Sequence, residues 1–362
     1  MRYPGFWQRR GTLAWLLWPL GWLVCAEAAR RRAGARRERP VCPTIVVGNV
    51  TVGGTGKTPV VMALVDALRE AGYQPGVISR GFGVKVGIEP VDLAEAADPS
   101  GCGDEPWLIH RRTGAPVVVH PRRLQAAEQL LARYPEVDVI VSDDGLQHHR
   151  LPRTVEWVVV DGRRGLGNGW CLPAGPLRES TRVLTQVDAV LINGGDPAQM
   201  LPATLPGAWR IDFAPTGLVD AFDGGERTLA TLAGKTVLAV AGIGNPERFF
   251  GMLEAAGIRV ICQALGDHAA PSAAQAKAWM SDGRPVVITQ KDAVKWPEAP
   301  TRPGQVLVVQ GGIRLPDALI RRTLTKLANE ASQASQANQA NQANQANRVN
   351  QSSPTHPDDP PR

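Results

Sequence analysis

The fold is decided by residues 50–58, which read Val50-Thr51-Val52-Gly53-Gly54-Thr55-Gly56-Lys57-Thr58. This glycine-rich stretch follows a β-branched run and opens a helical pattern, which is the context of a phosphate-binding loop. Backbone N–H groups of such a loop point at phosphate oxygens, so we expect Thr51 to Thr58 to bind a nucleotide. Lys57 would reach the β- and γ-phosphates, and the Thr58 hydroxyl would bind Mg²⁺. The strict pattern has Gly where this chain has Thr51, and the alternative is an ordinary glycine-rich turn before a helix.

A second stretch places carboxylates at the end of an apolar strand. Residues 137–145 read Val137-Asp138-Val139-Ile140-Val141-Ser142-Asp143-Asp144-Gly145. In a sheet that carries a phosphate loop, an acidic side chain at this place completes the Mg²⁺ shell. We assign that role to Asp143, with Asp144 assisting it or capping the following turn. The alternative is a plain Asp-Asp-Gly turn. Gln147, His148 and His149 follow without a metal-ligand spacing, so a structural role serves for them equally well.

The rest of the chain alternates β-branched runs with helical patterns, which predicts an α/β fold with a parallel sheet covered on both faces. We expect a P-loop NTPase-like parallel sheet domain plus a second, smaller α/β/α domain, with an N-terminal membrane-associated helix. The expected limits are 1–40 for the helix and basic segment, 41–204 for the P-loop domain, 205–234 for a linker, 235–327 for the second α/β domain and 328–362 for a tail. The tail consists of Gln, Ala and Asn repeats and Pro, a composition that predicts disorder.

Charge and tryptophan are concentrated at the N-terminus. Residues 1–39 hold nine Arg and two Glu, an excess larger than the net +6 of the whole chain, so the remainder is slightly acidic. The run from 11 to 26 is uncharged and mostly apolar, and its Trp15, Trp18 and Trp22 share one helical face. Basic residues beside an apolar segment fit anionic lipid head groups better than a phosphodiester backbone. We therefore expect a membrane partner and no nucleic-acid partner, and no protein partner is evident.

Three interpretations of the apolar run at 11–26 stay open. A helix of that length reaches about 24 Å, short of the roughly 30 Å hydrocarbon core, which favours a helix that lies in or partly enters the cytosolic leaflet. A cleaved signal peptide is the second, because Arg9 and Arg10 precede the run and Ala-Glu-Ala follows it. A full transmembrane span is the third. The neighbouring phosphate loop needs cytosolic nucleotide, which argues against export.

The cysteines predict no disulfide framework. There are five, an odd number, and none lies in a C-x-x-C pair. A reduced, cytosolic setting without a zinc site is the simple interpretation.

Phosphoryl transfer to a hydroxyl needs a base or an orienting group, and two clusters are candidates. One is Asp104 in Gly103-Asp104-Glu105-Pro106, and the other is His268 in Gly266-Asp267-His268. A carboxylate paired with a His is a plausible base dyad. From the residues alone, each cluster is more typical of a loop cap than of a catalytic group, and nothing in the sequence brings the two together.

Seven motifs in register resemble one family, the lipid A 4'-kinases (tetraacyldisaccharide 4'-kinases). In order they are Gly48-Asn49 leading into Gly53 to Pro59, Ser79-Arg80-Gly81-Phe82-Gly83, Gly103-Asp104-Glu105-Pro106, Asp143-Asp144-Gly145-Leu146-Gln147-His148, Pro173-Ala174-Gly175-Pro176-Leu177-Arg178-Glu179, Asp267-His268, and Thr289-Gln290-Lys291-Asp292-Ala293-Val294-Lys295. The resemblance covers roughly residues 10–327. Leu146 stands where an aromatic is expected, and small residues follow His268.

The resemblance implies an activity and a set of roles. Members of this family phosphorylate the 4'-hydroxyl of a tetraacylated glucosamine disaccharide 1-phosphate, with ATP and Mg²⁺, at the cytoplasmic face of the inner membrane. Two α/β/α domains joined by a short β-linker and a hydrophobic N-terminal helix are implied with it. By the same resemblance, Asp104 is the general base, His268 is its partner, and Arg178 contacts substrate or phosphate.

Two other functions compete with the kinase. A membrane-docking P-loop switch would share the phosphate loop and the anchor, but it would carry no loop that activates an acceptor. A scaffold with a vestigial loop is disfavoured by the intact Lys57, Thr58 and Asp143.

Overall fold

The structure is a computed structural model that describes residues 4–35, 41–81, 87, 89–96, 98–195 and 208–333. Part of the predicted basic cluster (Arg36, Arg37 and Arg39), Phe82 and Gly83 of the second motif, and residues 334–362 of the predicted tail lie outside the described residues.

The described helices and strands alternate along most of the chain. The helices are α1 Thr12–Ala33, α2 Lys57–Glu70, α3 Asp104–Thr113, α4 Arg123–Arg133, α5 Pro246–Ala255, α6 Ala273–Ser281, α7 Gln290–Ala293 and α8 at 317–333. The strands are β1 Thr44–Gly48, β2 Pro75–Ser79, β3 Val91–Asp92, β4 Val117–Val119, β5 Val139–Asp143, β6 Val155–Asp161, β7 Ala189–Asn193, β8 Ala208–Ile211, β9 Phe213–Asp220, β10 Glu226–Arg227, β11 Thr236–Ala241, β12 Arg259–Ala264, β13 Val286–Thr289 and β14 Val306–Ile313.

The first sheet has eight strands in the order β3-β4-β2-β5-β1-β6-β7-β8, and all neighbours pair in parallel except β3 with β4. Every residue of β1, β2, β5, β6 and β7 is buried, as expected for strands that helices cover on both faces. The phosphate loop follows β1, and the Asp143 strand β5 is its direct neighbour. The parallel α/β fold predicted from the sequence is confirmed, and the two motifs meet at one edge because the carboxyl ends of parallel strands lie together.

The second sheet has six strands in the order β10-β9-β14-β13-β11-β12. The strands β11 to β14 are parallel, whereas β9 pairs antiparallel with both β14 and β10. Its core is a separate cluster that includes Phe250, Leu253 and Val287. The second α/β unit expected from the sequence is therefore present.

The expected domain limits differ from the structure at two places. The predicted linker 205–234 contains β8, which ends the first sheet, and β9 and β10, which belong to the second. Helix α8 begins after the second sheet but packs on the first domain, where Leu315, Leu319 and Leu327 join the core around Leu64. The apolar periodicity of α8 is visible in the sequence, but periodicity does not say which domain buries it. The chain thus crosses between the domains twice.

Helix α1 is longer than the predicted apolar run, because Arg30, Arg31 and Arg32 continue it. It docks on the first domain by one narrow stripe, where Ala14, Gly21 and Arg32 are buried. Large apolar side chains point outward elsewhere: Leu13, Trp15, Leu16, Trp18, Leu20, Trp22, Leu23 and Val24. Among the described residues, α1 is the one helix that is long and apolar enough to cross a membrane. Length alone leaves a spanning helix and a helix lying in the interface equally open.

The expectation of free cysteines is wrong at one pair. Cys25 of α1 is joined to Cys171 by a disulfide, whereas Cys42, Cys102 and Cys262 are free. The two cysteines are 146 residues apart in sequence, so no local spacing could have indicated them. The docking of α1 on the first domain brings the two cysteines together. Gly21, one helical turn before Cys25, has no side chain and so leaves room for the carbonyl of Cys171.

Candidate active site

The phosphate loop is shaped by two glycines and two asparagines. Gly53 and Gly56 have φ of 84° and 85°, a conformation that favours glycine, and Gly56 is the N-cap of α2. Asn49 Nδ2 donates to the carbonyl of Gly53 at 3.3 Å, and Asn193 Nδ2 donates to the carbonyl of Thr55 at 3.0 Å. These hydrogen bonds fix the carbonyls of Gly53 and Thr55, so the backbone N–H groups at the start of α2 remain available to bind an anion.

The departure at Thr51 has a structural reason. Thr51 is buried and forms a β-bridge with Leu177, and the Val52 N–H donates to the carbonyl of Pro176 at 2.9 Å. The start of the loop is thus held as extended backbone by the 173–179 motif, and flexibility is needed only further on, at Gly53 and Gly56. The structure describes every residue from Thr51 to Thr58: the first six connect β1 to α2, and Lys57 and Thr58 begin α2.

Lys57 and Arg178 converge on one carboxylate. Lys57 Nζ and Arg178 Nη1 each lie 3.3 Å from Asp144 Oδ1. Burial raises the pKa of Asp144, but the two cations outweigh it and hold the pKa well below its usual range. Asp144 has φ of 49°, a left-handed backbone that Asp tolerates better than most residues. Asp144 thus keeps the two cations beside the phosphate loop. A bound phosphate group can replace this carboxylate as their partner.

Asp143 lies deeper than Asp144. It is 2 % exposed, and its Oδ2 accepts a hydrogen bond from Ser79 Oγ at 3.1 Å. Its Oδ1 has no hydrogen-bond partner within the described part of the chain. Burial raises the pKa of this carboxyl strongly. A buried carboxylate oxygen without a partner beside a phosphate loop is a ligand position suited to a hard cation such as Mg²⁺.

Sequence reasoning missed Arg123. Its guanidinium is buried at the start of α4 and donates to the carbonyls of His120 at 2.8 Å and Asp143 at 3.2 Å. Burial lowers its pKa to about 10, and the nearby Asp143 and Asp144 act in the opposite direction. The burial of Arg123 marks it as a candidate functional residue. The sequence alone shows only a charged residue at the start of an amphipathic helix.

Asp104 and His268 meet across the two domains. Asp104 is the first residue of α3, and His268 lies in the loop after β12. His268 Nδ1 lies 3.1 Å from Asp104 Oδ1 and 3.2 Å from Oδ2. Burial raises the pKa of Asp104, but the His268 hydrogen bond, Lys291 and Lys295 together bring the pKa below its ordinary value. The two clusters that were separate in the sequence therefore form one hydrogen-bonded pair.

Lys291, at the first turn of α7, is a further member of this cluster that sequence reasoning did not single out. Its Nζ lies 2.9 Å from Glu105 Oε1, 3.2 Å from His268 Nε2 and 3.9 Å from Asp104 Oδ2. Burial lowers the pKa of this ammonium, but Glu105 and Asp104 outweigh burial and raise it. The available signal was the 289–295 motif, which belongs to the family resemblance but implied no role for its two lysines.

A cavity of about 230 Å³ opens between the domains in front of the phosphate loop. Gly54, Lys57 and Thr58 line one side, with Glu105 and Lys291 nearby. The opposite domain approaches closely here, since a Cβ on Gly244 would lie 2.7 Å from Gly54 N. The rest of the wall is largely apolar and comprises Met62, Leu108, Phe213, Ile243, Phe249, Met252, Val309 and Ile313.

His148 and His149 are not arranged as ligands or as exposed acid–base groups. Burial lowers the pKa of each to about 4, so both are neutral at ordinary pH. The neighbouring Gln147 donates to Glu179 Oε1 at 2.8 Å and to the carbonyl of Asn49 at 3.1 Å. Through Gln147, this segment is hydrogen-bonded to the residue that precedes the phosphate loop, which agrees with a structural role.

A strand–loop–helix phosphate cradle, a buried acid on the adjacent strand and a carboxylate–histidine pair beside the same cleft define a P-loop phosphotransferase. Comparison with known proteins is specific. The family model described as Tetraacyldisaccharide-1-P 4'-kinase matches residues 13–328. The chain belongs to this family of kinases, which acts in lipid A biosynthesis.

Individual relatives agree with this assignment. The tetraacyldisaccharide 4'-kinase of Bordetella petrii is 48 % identical over 304 residues, covering 80 % of this chain and 85 % of that protein. That of Alkalilimnicola ehrlichii is 47 % identical over 302 residues, covering 81 % and 87 %. The solved structure of LpxK from Aquifex aeolicus, in complex with ATP, superposes with a TM-score of 0.69 at 23 % identity over 88 % of this chain and 99 % of that one, which shows that the fold is shared.

Proposed function

We propose that this chain transfers the γ-phosphate of ATP to the 4'-hydroxyl of a tetraacylated glucosamine disaccharide 1-phosphate, using the Asp104–His268 pair to activate the acceptor. The observation that carries the proposal is the 3.1 Å contact between these two residues, 164 positions apart in sequence. The pair lies beside the cleft that Lys57 and Thr58 line, because Glu105, next to Asp104, and Lys291, 3.2 Å from His268, line the same cleft. A P-loop switch needs only a residue that positions water, and not a carboxylate–histidine pair assembled from two domains.

The nucleotide is assigned to the cavity between the domains. The Val52 N–H is already donated to Pro176, so the N–H groups further along the Thr51 to Thr58 loop, those of Gly53, Gly54, Thr55, Gly56, Lys57 and Thr58, would hold the phosphates at the positive end of α2. The apolar wall beyond them, which includes Phe213 and Phe249, fits a base rather than another charged group. ATP phosphates would compete with Asp144 for Lys57, so nucleotide binding frees this ammonium to stabilise the transferring group.

The donor set fits Mg²⁺. Asp143 offers the unpartnered Oδ1, and Thr58 offers a hydroxyl at the first turn of α2. Oxygen donors from one carboxylate and one hydroxyl, completed by phosphates, are typical of Mg²⁺ sites in phosphotransferases. Asp144 already pairs with two cations, so we assign it an assisting role rather than direct coordination of the ion. When bound, the ion neutralises charge on the phosphates.

Asp104 would take the acceptor proton. Its lowered pKa keeps the carboxylate ionised at neutral pH, and His268 orients it. As the proton moves from the 4'-hydroxyl to Asp104, the sugar oxygen bonds to the γ-phosphorus and the bond to the β,γ-bridging oxygen breaks, releasing ADP. The pair comes from two domains, so closure of the cleft would complete the site only around bound substrates.

Arg178 is our candidate for contact with substrate or phosphate. It is about one-quarter exposed and turns toward the phosphate loop, where Asp144 holds it at 3.3 Å. The 173–179 loop that carries it also touches the N-terminal segment. Trp7, before α1, donates from Nε1 to the carbonyl of Pro173 at 3.0 Å, and a Cβ on Gly21 of α1 would lie 3.2 Å from Ala174 Cβ. The 173–179 loop thus contacts both the N-terminal segment and the active site, which suits a substrate that is itself a membrane lipid.

Helix α1 is assigned to the cytoplasmic face of the inner membrane as a peripheral, monotopic anchor. Its outward side chains are apolar and include three tryptophans, which prefer the interface. Its arginine-rich end would meet anionic head groups. One face of α1 is docked on the P-loop domain, which favours an anchor lying along the membrane over a helix surrounded by lipid.

Product analysis tests the proposal. The protein is incubated in detergent micelles with γ-labelled ATP, Mg²⁺ and tetraacyldisaccharide 1-phosphate, and label is followed into glycolipid and into free phosphate. The kinase assignment predicts label in the glycolipid, matched one to one by ADP. Release of free phosphate alone, unchanged by the glycolipid, would establish a switch-type NTPase instead.

A further inference from the structure

We infer that Lys291 is a positioning residue that fixes the tautomer of His268, and thereby keeps Asp104 competent as a base. The inference rests on the proposed roles of Asp104 and His268, and it gives a function to the 289–295 motif.

The contact between Lys291 and His268 determines where the imidazole proton lies. Lys291 Nζ is 3.2 Å from His268 Nε2, and its ammonium carries only donors. The acidic neighbours raise the pKa of Lys291, so it stays charged at neutral pH. Nε2 must therefore accept, which leaves the ring neutral with its proton on Nδ1. That nitrogen faces Asp104 at 3.1 Å and donates to it.

The surrounding charges show why this restraint is needed. The charged groups that face the imidazole come from α3, from its own loop, and from α7 with the residues after it: Asp104, Glu105, Asp267, Lys291 and Lys295. Without Lys291, the Nε2 side would face Glu105 and Asp267, each at 3.9 Å. An ionised carboxylate only accepts hydrogen bonds, so both groups would be partners for a proton on Nε2. A doubly protonated ring would hold the Asp104 carboxylate in a charge-assisted hydrogen bond and weaken it as a base.

Lys291 is itself held in place. Glu105 accepts from its Nζ at 2.9 Å, and Lys291 is the second residue of α7. Thr289 is the N-cap of that helix, and its hydroxyl donates to Asp292 Oδ2 at 2.7 Å. Asp292 Oδ1 in turn accepts from the N–H of Gly242 at 2.9 Å, and the carbonyl of Gly242 accepts from the N–H of His268 at 3.1 Å. Backbone and side chain of His268 are thus positioned by the same short helix.

The test compares Lys291→Met with Lys291→Arg and Lys295→Met. Lys295 lies 3.8 Å from the same Asp104 carboxylate, so its loss removes an equal charge without removing the contact to Nε2. For each variant, kcat/KM for the glycolipid is measured from pH 5.5 to 9.5, and the His268 ring nitrogens are observed by ¹⁵N NMR at pH 7 in the absence of substrate.

For Lys291→Met we expect an acidic limb displaced to higher pH, with about a 10²-fold loss at pH 7 that shrinks at least tenfold by pH 9, on the scale of general-base catalysis. Its ¹⁵N spectrum should change from the Nδ1–H tautomer to the doubly protonated ring. Lys291→Arg keeps the charge and should stay within a few-fold of wild type, and Lys295→Met should leave the tautomer unchanged.

Two results would overturn the inference. A loss that is the same at every pH, with an unchanged His268 spectrum, would mean a merely structural role. A raised KM for ATP with an unaltered pH profile would make Lys291 a nucleotide contact. If Lys291→Met does not fold, a wild-type spectrum without the Nδ1–H tautomer refutes the inference by itself. Failure of the proposed function is separate, because wild-type protein would then transfer no phosphate to glycolipid while the NMR result stands.

Discussion

The Asp104–His268 pair makes a quantitative prediction. Asp104→Asn keeps the size of the side chain and the start of α3 but removes the proton acceptor. His268→Asn removes the imidazole, and it is preferred to Ala because His268 has φ of 63°, a conformation that Asn tolerates. Each change should lower kcat by about 10²-fold or more, the scale of general-base catalysis, with the affinity for ATP little altered.

The double variant shows whether the two residues act as one unit or independently. Because the imidazole acts only through the carboxylate it contacts at 3.1 Å, its loss should cost little once that carboxylate is an amide. The double variant should then be scarcely worse than the poorer single one, a coupling of about 2.7 kcal/mol at 10²-fold per step. Asp282→Asn, a surface carboxylate paired with Arg284, is the matched control and should be fully active.

Steady-state rates of glycolipid phosphorylation at saturating ATP and glycolipid give kcat for wild type, the two single variants and the double variant. Losses that multiply to about 10⁴-fold would mean that the two residues work separately, and the dyad should then be abandoned. Circular dichroism and thermal unfolding of each variant exclude a loss of fold as the cause.

Two further predictions concern the N-terminal helix. Removal of residues 1–29 should make the protein extractable without detergent and chiefly raise the KM for micellar glycolipid; recovery from cells of a mature chain that starts after Ala26 or Ala29 would instead establish a signal peptide. Arg32→Met should lower the free energy of unfolding by about 3 kcal/mol, because it leaves the buried Glu156, 2.7 Å away, with only part of its compensation. Urea unfolding measures this, Arg32→Met/Glu156→Gln should recover part of the loss, and a change below about 1 kcal/mol would refute a stabilising role.

The parts of the fold that local pattern controls were predictable. The β-branched runs at β1, β2 and β5, the helix after Lys57 and the acidic end of β5 follow from periodicity and spacing, and all appear where expected. Parallel pairing then brings the phosphate loop and Asp143 together, because both follow strands at one edge of the sheet.

The parts that depend on long-range assembly were not. Helix α8 returns to the first domain, and Cys25 reaches Cys171, only because of tertiary docking that no local spacing records. Arg123 and Lys291 were missed for a related reason. Each is an ordinary charged residue at the start of a helix until the fold buries it beside an acidic residue, Asp143 for Arg123 and Glu105 for Lys291. The meeting of Asp104 with His268 came to the sequence analysis through family resemblance and not through the residues themselves.

The central claim is that the γ-phosphate reaches the 4'-hydroxyl at the site built on Lys57. The most direct measurement is mass spectrometry and ³¹P NMR of the glycolipid product formed by wild type and by Lys57→Ala. The account predicts one added phosphate monoester on the 4'-oxygen with wild type. Lys57→Ala should form this product at least about 10²-fold more slowly while remaining folded, because it loses the ammonium beside the transferring group. Near-normal turnover by folded Lys57→Ala, or a phosphate at any other position, would contradict the account.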